Sequence, residues 1–313
     1  MRTRRRSISE LRGCGVAGLR RLIPIVKATA LEILSEPLSL LVLLAALVLT
    51  VLAPAFHYHQ FGEATRMARD ACLSSVLMGG LVIAVFGTIR AFRREVESGT
   101  MAMALAHPVS RTGFFLAKTL GAGAAYLVFA SIVFLTALVI VDGAAIGGLI
   151  AAKSGDIARI YGPNLAEGVG VIVLPLLVGA ALNRFGNVRF VLSSFVLALA
   201  LSVVFAALSV VRDATVFLRL LPVMALIALF TFVLLVASAA FAVRFKANAA
   251  ASSAGLVLAL LLPAVGNYYL ADALSKGGSV PWTYVGCAAL ATLPAVLLFL
   301  FLGIHFINGR DIS

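Results

Sequence analysis

Apolar residues run along this chain in long unbroken blocks, separated by short polar breaks. The blocks reach about 18 residues or more, the length of helix that crosses roughly 30 Å of hydrocarbon. They are continuous and not alternating, which predicts helices and disfavours a barrel. Spans are expected over 38–56, 72–89, 119–141, 168–182, 190–211, 220–243, 251–270 and 285–306. The fourth is short and carries Pro175, so it reads as a re-entrant or broken helix. The pattern predicts an all-α polytopic membrane protein with about eight transmembrane helices, six being the alternative. Before the first span, residues 20–37 mix apolar and polar positions. They predict an interfacial amphipathic helix with Arg21, Lys27 and Glu32 toward headgroups. The chain thus divides into two regions: a basic tail with this helix over 1–37, and one transmembrane domain over 38–313.

Composition agrees with the blocks. The chain is 62% hydrophobic and only 12% charged, far from a soluble globular protein. The net charge of +12 raises nucleic acid as a partner, and the distribution excludes it. The basic residues flank apolar blocks and form no patch interleaved with aromatics. Alternating about eight spans from a cytosolic N-terminus puts most of the 25 lysines and arginines inside. Only Arg66, Arg69, Lys153, Arg159, Arg212, Arg219 and Lys276 then fall outside, as the positive-inside bias requires. Removing the fourth span would invert every later segment and place Arg244, Lys246 and Arg310 outside. Both termini are therefore expected in the cytosol of a bacterial cytoplasmic (inner) membrane. Ala53-Pro54-Ala55 resembles a signal-peptidase site, but the long basic lead and anchor-length run favour a retained span.

The expected cores hold no Asp, Glu, Lys or Arg. Buried ionisable residues mark ion paths in coupled carriers, so their absence argues against a proton-driven carrier. Gly79, Gly80 and Gly87 in the second span read as close helix packing, as do Gly121 and Gly123. Cys14, Cys72 and Cys287 form no metal or redox pair. Gly147 to Ser154 approaches a phosphate-binding P-loop, but Ala152 stands where glycine is needed before Lys153. That stretch is read as an outer loop, and the chain as having no nucleotide site and no cofactor of its own. His57 and His59 are weak metal candidates, read as interfacial anchors beside Tyr58. His107 and His305 stand alone. With no Ser/His/Asp set or paired carboxylate, the chain is not expected to be an enzyme.

The most specific text is residues 90–118, RAFRREVESGTMAMALAHPVSRTGFFLAK. Arg90, Arg93 and Arg94 end the second span, and Glu95 and Glu97 come next. Gly99 and Thr100 can end one helix and cap another. Met101 to His107 would then form a two-turn helix stopped by Pro108, and Ser110 would cap the helix leading into the third span. Met101, Met103 and Leu105 suit docking in a groove on a soluble partner. A merely solvated connection is the alternative.

The order Glu95-x-Glu97-Ser98-Gly99-Thr100, then Leu105-x-x-Pro108-Val109-Ser110-Arg111, then Lys118, resembles the signature of the ABC-2 type permeases. These are membrane subunits of ATP-binding cassette transporters, of the kind grouped with gliding-motility and copper-enzyme-maturation permeases. Glu32 before Pro37, and the closing Arg310-Asp311-Ile312, add to the likeness. The resemblance implies a cytosolic coupling helix between the second and third spans, a permease dimer in the lipid bilayer, and a separate ABC ATPase subunit that uses ATP and Mg. Arg94, Glu95, Glu97, Gly99, Thr100, Met101, Leu105, Pro108 and Arg111 would be the contacts to that ATPase. Lys118 and Arg111 would hold the cytosolic interface or lipid phosphates. His107 departs from the family pattern, and residues 142–211 exceed its usual six-span plan. A non-transporting assembly or maturation factor working through outer loops at 57–70 and 142–167, and an ion-coupled secondary transporter, are the rival readings.

Overall fold

A computed structural model of the chain describes residues 22–52, 64–97, 110–154, 157–212, 214–265 and 280–309. Among them every regular element is helical. In chain order these are α1 (Leu22–Leu34), α2 (Pro37–Leu52), α3 (Ala64–Val82), α4 (Thr88–Glu97), α5 (Arg111–Ser154), α6 (Ile157–Gly186), α7 (Phe190–Arg212), α8 (Ala214–Arg244), α9 (Ala247–Val265) and α10 (Trp282–Asn308). One wide π turn, Ile83–Gly87, joins α3 to α4 without a break in the chain path.

The stretch expected to be an interfacial helix is helical as α1, which meets α2 at a bend of 64°. Proline explains the bend. Its ring disfavours helix at Glu36, yet its fixed φ suits the first position of α2. Ser39 Oγ donates to the Ile33 carbonyl at 2.6 Å, so a side chain serves the buried C-terminal end of α1.

Six helices among the described residues are long and apolar enough to cross a membrane: Arg69–Glu95, Arg111–Asp142, Ala166–Gly186, Phe190–Val211, Ala214–Arg244 and Trp282–Asn308. Counting the bent α1–α2 pair as one span gives seven. The expected first span is thus one arm of a bent pair. Over the expected seventh span lies α9, Ala247–Val265, which is not among these candidates, so eight spans are not reached among the described residues.

Two sequence expectations are corrected. The stretch 168–182 is not broken at Pro175, because α6 runs continuously from Ile157 to Gly186. Neighbouring helices can support the carbonyl that proline leaves without a donor. The expected outer loop after the third span is also helix: α5 continues for 44 residues to Ser154. The stretch Gly147 to Ser154 is therefore helical and forms no phosphate-wrapping loop.

Helices α5 and α8 form the middle of the bundle. Tyr126, Phe129, Leu234 and Leu235 are among their fully buried side chains. Glycines let neighbours reach α5 closely. A Cβ at Gly80 would lie 2.8 Å from the Tyr126 ring, and one at Gly79 2.5 Å from the Phe129 ring. At Gly121 a Cβ would meet the Val26 carbonyl oxygen and Thr29 Cβ, each at 2.7 Å, so α1 lies directly on α5 there. These glycines are packing positions, as expected. By contrast α10 turns Leu290, Leu293, Leu297 and Phe301 outward, where in a membrane helix lipid or another helix covers them.

Candidate coupling site

Helix α4 carries charge on two faces. At 3.6 residues per turn, Arg90 and Arg94 share one face, while Phe92 and Glu95 share the opposite one. The first face meets α1. Arg94 Nη1 lies 3.6 Å from Glu32 Oε1, and Arg90 Nη1 lies 3.4 Å from Glu36 Oε2. Each pair of like residues is four apart in sequence, so antiparallel helices join them as a two-rung ladder. Arg93 points elsewhere, with Nη1 3.4 Å from the Phe245 carbonyl just past the end of α8.

The second face is buried. Ile89 and Phe92 pack with Phe114 and Phe115 of α5 and with Ala239, Ala242 and Val243 of α8. Within this apolar cluster Lys118 is fully enclosed, and its Nζ sits 2.6 Å from Glu95 Oε2. The ammonium also lies 5.3 Å from the Phe92 ring centroid and 5.9 Å from that of Phe114, both within cation–π range. Helix spacing builds this arrangement: Phe92 and Glu95 are one turn apart on α4, and Phe114 and Lys118 one turn apart on α5. An enclosed lysine needs its carboxylate, since an isolated charge in such surroundings costs several kcal/mol.

The root of α5 is fixed at its other side too. Ser110 caps the helix as expected, its Oγ accepting from Gly113 N–H at 3.1 Å. Arg111 Nη1 lies 3.4 Å from the carbonyls of Ile307 and Asn308 at the C-terminus of α10. There the guanidinium offsets the negative end of the helix dipole. Close by, Gly303 of α10 packs so tightly on the Phe115 ring that a Cβ would overlap it.

The structure therefore places Arg94, Glu95 and Arg111 at the two roots of the 90–118 segment and gives each a partner within the chain. Glu97 closes α4. Gly99, Thr100, Met101, Leu105 and Pro108, and with them the expected coupling helix, lie outside the described residues, as do His57 and His59. The expectation that Lys118 meets lipid phosphates is overturned: it is 0% exposed, because Phe92, Phe114 and Glu95 close around it. The cleft-facing pairs of Glu32 and Glu36 were not foreseen, although their spacing of four against Arg90 and Arg94 is in the sequence. The expected third span is bounded by two buried ionisable residues, Lys118 and Asp142. Among the described residues no group of three His, Cys, Asp or Glu could hold a metal ion.

Comparison with curated proteins and with solved structures returned no match. Residues 33–188 match the family model described as ABC-2 family transporter protein. That stretch takes in the α1–α2 bend, both roots of the 90–118 segment and helices α2 to α6. By this match, and by its row of apolar helices, the chain belongs to the ABC-2 transporter family, as a multi-pass membrane component and not a catalytic chain.

Proposed function

We propose that this chain is the permease subunit of an ATP-driven transporter, working as a dimer and moving its substrate across the cytoplasmic membrane. ATP and Mg are bound and hydrolysed by a separate ABC ATPase subunit. That subunit docks on the segment between α4 and α5, with Glu97, Gly99, Thr100, Met101, Leu105 and Pro108 at the contact. Arg94, Glu95 and Arg111 anchor the segment's two ends.

The observation that carries this reading is the Glu95–Lys118 contact of 2.6 Å inside an apolar cluster. It ties the helix entering the segment to the helix leaving it. A push on the segment then moves α4 and α5 together, and α5 runs through the middle of the bundle. The Arg111 contacts extend the tie to α10. Rigid packed elements of this kind transmit a displacement instead of absorbing it.

The test is co-purification. The tagged chain, extracted from its native membrane in mild detergent, brings down Mg-dependent ATP hydrolysis, and Glu97→Lys reduces the yield at unchanged expression. A preparation that never carries a P-loop ATPase contradicts the proposal.

A further inference from the structure

The charged end of the bundle also holds a cleft beside the segment proposed to dock the ATPase. It encloses about 940 Å³ between the α1–α2 bend and α4, and Arg189, from the turn between α6 and α7, contributes to its lining. Three guanidinium groups, Arg90, Arg94 and Arg189, line it together with two carboxylates, Glu32 and Glu36, while the Arg93 guanidinium turns to the Phe245 carbonyl. The ladder leaves much of this positive charge available. Each rung engages one terminal nitrogen at 3.4 or 3.6 Å, and the Arg90 and Arg94 side chains stay 60% and 71% exposed. A guanidinium has five N–H donors in a fork that matches phosphate oxygens. Arg189 is exposed and makes no ion pair among the described residues.

The wall opposite the arginines also carries apolar residues, Ala28, Leu31 and Pro37. Leu31 lines the cleft and is 45% exposed. Just past the bend, α2 turns Leu38 and Leu41 outward. In a membrane protein those leucines meet acyl chains, so the arginines stand at headgroup depth next to them. A soluble protein would have to cover exposed leucine at the same time as the arginines, whereas a phospholipid supplies both chemistries in one molecule.

We propose that the cleft between the α1–α2 bend and α4 binds the phosphodiester headgroup of an anionic phospholipid, held by Arg90, Arg94 and Arg189, with an acyl chain against the exposed leucines of α2. Glu32 and Glu36 keep the arginines splayed and set a selectivity, since a headgroup must bring enough negative charge to compete with them. This inference does not depend on the ATPase reading.

The full chain, purified in mild detergent, is titrated with phosphatidylglycerol or phosphatidylcholine and read by native mass spectrometry. Phosphatidylglycerol is retained preferentially. Arg189→Ala and Arg90→Ala each weaken that retention about fivefold, the usual worth of one basic residue beside anionic lipid. Arg219→Ala removes the same charge some 25 residues away from the Arg244 end of α8, or roughly 35 Å by helix rise, and leaves retention unchanged. Equal retention of the two lipids, or no effect of Arg189→Ala, overturns the proposal. So does displacement of the lipid by millimolar inorganic phosphate, which would make this a free-anion site. Loss of co-purifying ATPase from Arg189→Ala with lipid retention intact overturns it in favour of a protein contact.

Discussion

The two faces of α4 hold the same chemistry in opposite settings. Inward, Glu95 meets Lys118 at 2.6 Å among phenylalanines, with the lysine wholly enclosed. Outward, Arg90 and Arg94 meet Glu36 and Glu32 at 3.4 and 3.6 Å with the arginines mostly exposed. Water screens the outer pairs, and such pairs contribute about 0–1 kcal/mol. The inner pair is screened far less, so removing one partner leaves a poorly solvated charge. Burial, and not the kind of residue, decides which pair holds the helices and which stays free to bind something else.

The largest expected effect comes from this difference. Lys118→Ala strands Glu95 and should destabilise the chain by about 3 kcal/mol, toward the lower end for broken buried pairs because Glu95 is partly exposed. Thermal unfolding in detergent micelles reads it as a clear fall in Tm. The double change Lys118→Met with Glu95→Leu should recover most of that loss, since apolar residues of similar volume replace buried pairs at little cost. A double variant no better than Lys118→Ala would show that packing, not charge, dominates at this position.

A smaller loss is expected at the contact between α1 and α5. Gly121→Ala drives a Cβ to within 2.7 Å of a backbone carbonyl, which cannot rotate away as a side chain can. About 1–3 kcal/mol is the usual cost of such overpacking. Gly255→Ala is its counterpart. A Cβ there meets nothing within 4 Å, so the substitution should leave Tm level or raise it slightly through helix propensity. Smallest of all, Arg90→Ala should change stability by less than about 1 kcal/mol. A drop as large as that of Lys118→Ala would erase the contrast between the two faces.

Much of the fold could be read from the apolar blocks alone, because a span must satisfy its backbone internally and so announces itself by length. The Ser110 cap and the packing glycines were legible for similar local reasons. What escaped was tertiary. Pro175 signalled a break, yet its helix continues through it. Gly147 to Ser154, close to a P-loop in pattern, reads as a loop, yet the preceding helix extends over it. Lys118 stands at the edge of an apolar block, where a one-dimensional reading makes it interfacial. Its burial depends on Phe92 and Glu95 of α4 closing over Phe114 and Lys118 of α5, a packing of two helices that sequence order does not show. The ladder was readable in its spacing, but only a known pairing of α1 with α4 gives that spacing a meaning.

The central claim is that the segment between Glu95 and Lys118 carries force from an ATPase into the bundle. It is tested most directly by Met101→Glu with Leu105→Glu, which leaves the buried pair and every described contact in place. Mg-dependent ATP hydrolysis co-purifying with the wild-type chain should fall at least tenfold for this variant while its Tm is unchanged. Undiminished co-purification, with the same Tm, would contradict the claim.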